Sequence, residues 1–263
     1  MWDQPIPERR SSVASRGELL GFIALALLAL VPAIPADGRL VLGSMLAIAG
    51  VALFARTRSG SGATTIIAGI AVSVFSFKPP IGSWPFPFLL PIAGLCLAAF
   101  ATRTPVLKAL GARRGAFGRR EAAIIALFAV MSAVALLVWA WLLRPDLSRV
   151  HALIPDVPIA LLVPIGLSFS VINAIIEEIV WRGVLLGWLR GFMPVGLAVV
   201  VQALSFGAAH WMGVPSGWVG VGLAGVYGLM MGSLAVVARG LLAPIAAHII
   251  ADIVIFALVL TLA

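Results

Sequence analysis

Ile175-Ile176-Glu177-Glu178-Ile179-Val180-Trp181-Arg182-Gly183 sets two adjacent carboxylates and a guanidinium into a segment that is otherwise almost wholly apolar. A charged side chain at bilayer depth costs roughly 2.5–3.5 kcal/mol on the insertion scale. Three of them within six residues need a reason: they pair to fix the structure, or they do chemistry. Which of the two applies, and whether the stretch lies in a membrane at all, depends on the chain around it.

That chain is a membrane chain. Of its 263 residues 62% are hydrophobic and 11% charged, with a mean hydropathy of +1.14. A soluble domain is about 45–50% apolar and about 25% charged. The composition excludes a soluble domain with one core and predicts an all-α, polytopic transmembrane bundle in the cell membrane. The net charge is +8. Its basic residues are scattered between apolar runs rather than gathered on one stripe, so the bilayer and not a nucleic acid is the expected partner. A single cysteine, Cys96, excludes an internal disulfide and a cysteine metal cluster. Arg9, Arg10 and Arg16 precede an apolar run as in a signal peptide, but no small-residue cleavage site stands out. The run reads as a retained first span.

A spanning helix needs about 20 largely apolar residues. The candidates are 19–35, 40–55, 62–77, 86–101, 121–142, 157–190, 193–211, 217–238 and 240–262. Nine spans follow, or eight if one of the short early runs does not cross. The sixth is too long for one straight crossing, and Pro164 is placed to kink it before the acidic pair. Lys78, Pro79, Pro80, Gly82 and Pro85 mark a break. The arginine-rich loop 102–120 divides the chain into N-terminal helices of unassigned role, 1–118, and a second part, 119–263, that holds nearly all the unusual residues. With nine spans and the N-terminus inside, thirteen of the eighteen basic residues fall inside and Arg39, Lys78, Arg144 and Arg149 outside, with Arg182 left within a span. The lysine and arginine bias favours this orientation.

On one helix, Glu178 and Arg182 are four apart and face one another in the favourable carboxylate-first order. Asn173 and Glu177 are also four apart. One carboxylate thus has an arginine partner, and the other is left over, as a general base or acid requires. His210 ends the next span, in Phe206-Gly207-Ala208-Ala209-His210, and His248 and Asp252 share a face of the last span. Counted from the turns near Arg190–Met193 and Arg239 at 1.5 Å per residue, Glu177 and His210 lie about 20–25 Å deep. His248 and Asp252 lie roughly 14 and 20 Å deep. Three helices can therefore bring these groups to a similar level. Among the other features, Gly220, Gly222, Gly225, Gly228 and Gly232 read as a thinned face for close helix packing. Trp211 and Trp218 read as interfacial anchors, with the mouth of the site as a second possibility, and Gln202 as a bond across helices.

Glu-Glu-x-x-x-Arg, Phe-x-x-x-His and His-x-x-x-Asn/Asp, in that order on successive helices, resemble the three motifs of the CAAX protease and bacteriocin-processing (CPBP) family of intramembrane proteases. The resemblance covers about residues 120–263. Trp181 stands where the family usually has phenylalanine, and Asp252 where it often has asparagine. The resemblance implies a glutamic-type intramembrane endopeptidase that cleaves a membrane-anchored protein or peptide near its C-terminus. Glu177 would activate a water that His210 also holds. Glu178, fixed by Arg182, would support it. His248 and Asp252 would stabilise the oxyanion; since that needs donors, Asp252 either carries a proton or orients His248. No cofactor is implied. The competing reading is a zinc site of Glu177, His210 and His248, but the His-Glu-x-x-His helix of zinc peptidases is absent. The substrate is prenylated and CAAX-type, or exported with a C-terminal sorting signal; nine spans favour the second. The rivals from other classes are a proton-coupled transporter, which predicts symmetry between halves that the chain lacks, and a non-catalytic immunity or scaffold protein.

Overall fold

The computed structural model describes residues 12–262, apart from the side chains of residues 12–15, 149 and 212. The arginines at 9 and 10 that enter the orientation argument lie outside the described residues. Nine helices of fifteen residues or more are present among the described residues: α1 Ser12–Ala29, α2 Ala36–Thr57, α3 Gly60–Val74, α4 Phe86–Ala101, α5 Arg119–Leu143, α6 Ile159–Leu189, α7 Val195–Ala209, α8 Gly217–Ala238 and α9 Leu242–Leu262. No strand occurs among them. The chain is an all-α membrane bundle. Five helices, α2, α5, α6, α8 and α9, are long and apolar enough to cross a bilayer. The helices α3, α4 and α7 have 15, 16 and 15 residues. They rise about 22–24 Å, short of the roughly 30 Å hydrocarbon core.

The helix ends follow from local chemistry. Prolines 35, 85, 158 and 194 each stand just before a helix, where a missing N–H removes nothing that the first turn uses. Arg58, Arg144 and Arg239 close α2, α5 and α8 in the left-handed region, with φ of 53°, 42° and 55°. A cation at a helix C-terminus also complements the helix dipole.

The long sixth helix is a single element from Ile159 to Leu189, but its residues Ile179–Leu185 are wound as a π-helix. Pro164 lies within its first turns. The π-wound stretch begins directly after the acidic pair, where π-turns commonly mark functional sites. The segment expected to run from 193 to 211 is helical only to Ala209; His210–Met212 tighten into a 3-10 turn.

Small residues set the packing. Gly43 and Gly50 of α2 meet Gly69 and Ile66 of α3 backbone to backbone, and a methyl group added at Gly69 would stand 2.4 Å from the Ala47 nitrogen. In α8, Gly228 lies against Ala203 and Gly232 against Gln202. Gly225 faces Gly207 of α7, where a methyl group added at Gly207 would stand 3.1 Å from the Gly225 backbone, whereas Gly222 has open space beside it, so the glycine face expected over 220–232 holds except at Gly222. Gln202 is fully buried, with no hydrogen-bond partner among the described residues; the bond expected across helices is not made.

One core joins the two parts of the chain on either side of the 102–118 connection. Phe54, Ile66 and Leu95 from the first part pack in the same cluster as Trp181, Leu186 and Phe206 from the second. The basic loops gather at one end. Arg58 donates to the Thr102 carbonyl, Gly111 abuts Gly183, and the Leu241 and Leu242 N–H groups donate to the Arg113 and Arg114 carbonyls. The connections 75–85, 144–158 and 210–216 therefore lie at the other end, because the helices between them run from one to the other.

Candidate active site

The acidic pair is divided by its surroundings. Glu178 is fully buried, and its Oε1 accepts from Arg182 Nη1 at 2.9 Å and from His248 Nδ1 at 2.8 Å. Arg182 is itself fully buried, and its guanidinium carbon stands 4.4 Å from the centroid of the Phe206 ring. The cation thus has a carboxylate on one side and an aromatic face on another, an arrangement that strengthens as water is removed. Trp181 meets the edge of the same Phe206 ring at 5.2 Å.

Glu177 points elsewhere. It lines a cavity of about 760 Å³, and neither Glu178 nor Arg182 does. The cavity's other polar lining includes Asn173, His210, Tyr227, His248 and Asp252. Its walls are otherwise mostly apolar, with Met131, Leu136, Leu153, Ile165 and Phe256 among them. Pockets with a few convergent polar groups on apolar walls are the usual form of a ligand site.

His248 is faced by three carboxylates. Its Nδ1 bonds Glu178, while its Nε2 is 3.6 Å from Glu177 Oε2 and 3.7 Å from Asp252 Oδ1. The last two are ionic proximities too long for hydrogen bonds. His210 Nδ1 lies 2.9 Å from the Phe206 carbonyl. A carbonyl only accepts, so Nδ1 carries the hydrogen and Nε2 is left with a lone pair. The Phe206 and His210 rings are 4.4 Å apart. Asp252 Oδ2 accepts from the Asn173 amide at 3.1 Å, which leaves Oδ1 as the oxygen turned to His248.

The four groups whose depths match in the sequence, Glu177, His210, His248 and Asp252, therefore share one chamber. Glu178 and Arg182 stand behind it. Trp211 and Trp218 form a T-shaped pair 4.8 Å apart and do not line the cavity; Gly213, Val214 and Pro215 of the same connection do. Sequence reasoning missed Trp84, whose indole donates to Asn173 at 3.0 Å from the far side of the chain. It also passed over Tyr227, whose ring stands 5.4 Å from that of His248. Among the described residues no three His, Cys, Asp or Glu side chains are disposed to hold a metal ion.

Comparison with known proteins bears on the same segment. Residues 159–254 match the family model described as Type II CAAX prenyl endopeptidase Rce1-like. No curated protein and no solved structure matches the chain. The matched stretch begins with α6 and ends two residues after Asp252, so it holds Asn173, Glu177, Glu178, Arg182, His210, His248 and Asp252. Over residues 159–254 the chain is thus similar to the Rce1-like family of CAAX prenyl endopeptidases, the same family of membrane proteases that its three motifs resemble.

Proposed function

We propose that this protein is an intramembrane endopeptidase in which Glu177 activates a water to cleave a membrane-anchored protein or peptide near its C-terminus. The observation that carries the reading is the split between the two carboxylates: Glu178 is held by Arg182 and His248, while Glu177 alone lines the chamber. Glu177 and the free Nε2 of His210 both accept, so together they hold the two hydrogens of one water and leave its lone pair for attack. Glu177 takes a proton as the water oxygen bonds to the scissile carbonyl carbon. The carbonyl oxygen becomes an oxyanion, for which a proton on His248 Nε2 is the donor in reach. Collapse breaks the C–N bond, and the proton on Glu177 passes to the leaving amine. Asp252 orients His248 in this scheme, since its Oδ2 is already engaged as an acceptor by Asn173.

The apolar remainder of the chamber suits a lipid-modified or helical C-terminal segment. The chamber reaches Ser83, Trp84, Leu153, Pro155 and Val214, in connections at the end away from the arginine-rich loops. The lysine and arginine bias assigns that end to the outside. This favours an exported substrate with a C-terminal sorting segment over a cytosolic prenylated one.

The test uses purified protein in lipid nanodiscs with a farnesylated CAAX peptide and a peptide carrying a C-terminal apolar helix. Mass spectrometry of membrane-protein C-termini in cells with and without the chain complements it. Glu177→Gln and His210→Ala should each insert normally and lose cleavage by at least about a hundredfold. Undiminished processing in both variants would defeat the reading. Activity that survives a zinc chelator supports the glutamate mechanism; loss that zinc alone restores would replace it with the metal one.

A further inference from the structure

We propose that Trp84, supplied by the connection between α3 and α4, is a positioning residue of the site: it holds Asn173, and through it Asp252, in the orientation that the chemistry uses. The inference rests on the endopeptidase reading, but it concerns a part of the chain outside the family-matched segment.

A carboxamide can turn end for end. Turned one way, Asn173 presents N–H to Asp252; turned the other, it sets its carbonyl oxygen against a carboxylate oxygen. Within α6 a side-chain hydrogen bond from Asn173 to Glu177 favours the first sense, and the other end of the amide is set from outside the helix. The indole Nε1–H selects, because it donates and cannot accept. It bonds Asn173 Oδ1 at 3.0 Å, and this obliges the Asn173 amide nitrogen to face Asp252 Oδ2, which it meets at 3.1 Å. Asp252 is then held with Oδ1 3.7 Å from His248 Nε2. The relay runs Trp84, Asn173, Asp252, His248.

The indole is placed for this role. Its ring packs on Phe169 with centroids 4.8 Å apart. Phe169, Asn173 and Glu177 are spaced by four and so line one face of α6. Trp84 therefore lies along the row that leads to Glu177, and both residues line the chamber. The connection that carries Trp84 is braced within itself: Gly82 N–H donates to the Lys78 carbonyl at 3.1 Å, and the Ser83 hydroxyl to the Pro80 carbonyl at 2.8 Å. Pro79, Pro80 and Pro85 restrict it further. A stiff segment aims its side chain at little entropic cost.

Two measurements test the inference. In the first, ¹⁵N-labelled protein in nanodiscs shows the indole N–H resonances, and Trp84→Phe identifies that of Trp84 by its loss. This resonance should move in Asn173→Ala and in Asp252→Asn, whatever the protein's activity. A resonance that stays in place in both would overturn the relay. In the second, cleavage of whichever of the two peptides the wild type accepts is followed at several concentrations. Trp84→Phe keeps a ring for Phe169 and removes the N–H, so kcat should fall about three- to tenfold with KM little changed. In the double variant Trp84→Phe/Asn173→Ala the loss should equal that of Asn173→Ala alone, since Trp84 acts through Asn173. Losses that multiply, or a fall confined to KM, would refute the positioning role. If the wild type cleaves neither peptide, the proposed function has failed on that assay, and the indole resonance still decides the relay.

Discussion

Replacing Arg182 by methionine would leave Glu178 as a fully buried carboxylate with one charged donor in place of two. Breaking a buried ion pair by removing one partner costs about 3–5 kcal/mol, because the remaining charge is uncompensated. Here the lower end applies. Glu178 Oε1 accepts from Arg182 at 2.9 Å and from His248 at 2.8 Å, so the histidine still serves the same oxygen after the change. Methionine fills most of the space and keeps a sulfur near the Phe206 ring, which limits any cavity contribution. The expected loss is about 3 kcal/mol, and at 2–4 °C per kcal/mol for a chain of this size the melting temperature should fall by about 6–12 °C. Glu178→Gln/Arg182→Met removes the stranded charge, so most of the stability should return while cleavage stays impaired, with His248 no longer held by a carboxylate. Thermal melting of the purified variants in one detergent, followed by tryptophan fluorescence, measures each corner of this cycle. If Arg182→Met melted within about 2 °C of the wild type, or if the double variant melted lower still, the claim that Glu178 and Arg182 form an interdependent buried pair would be wrong.

Two further outcomes follow from packing and topology. A methyl group added at Gly207 would stand 2.6 Å from the Val221 carbonyl oxygen. Gly207→Ala should therefore push α7 from α8 and destabilise by about 1–3 kcal/mol, and it should disturb His210 three residues on. Gly222→Ala, with nothing within 4 Å, should melt as the wild type does; equal effects of the two in a melting assay would refute this account of the α7–α8 contact. Ser216 is exposed in the connection before α8. In a chain with Cys96 replaced by alanine, Ser216→Cys should react with a membrane-impermeant maleimide added outside intact cells, and labelling seen only after lysis would reverse the orientation.

Much of the site was legible because it is written at helical spacing. Glu178 with Arg182, Asn173 with Glu177, Phe206 with His210 and His248 with Asp252 are each four apart, and a helix turns such pairs to one side wherever it is placed. The depth of each group follows from residue counts to the nearest turn. The membrane class follows from composition, since few charges in a long apolar chain leave no other solvent for it. Less legible were the ends of elements. The π-wound stretch 179–185 and the 3-10 turn at His210 depend on contacts that no periodicity reports.

What the amino-acid order determined by itself is thus the set of chemical groups, their pairing within each helix and their approximate level. The tertiary structure alone decided which groups meet between helices. It turned His248 Nδ1 to Glu178 and left Nε2 between Glu177 and Asp252. It also brought Trp84 to Asn173 across 89 positions of chain. Spacing within a helix is set by covalent geometry and backbone hydrogen bonds, which every stretch of sequence carries with it. The rotation of one helix against another is set by which small residues allow close approach and which side chains fill the gaps, and those balances belong to the whole bundle at once.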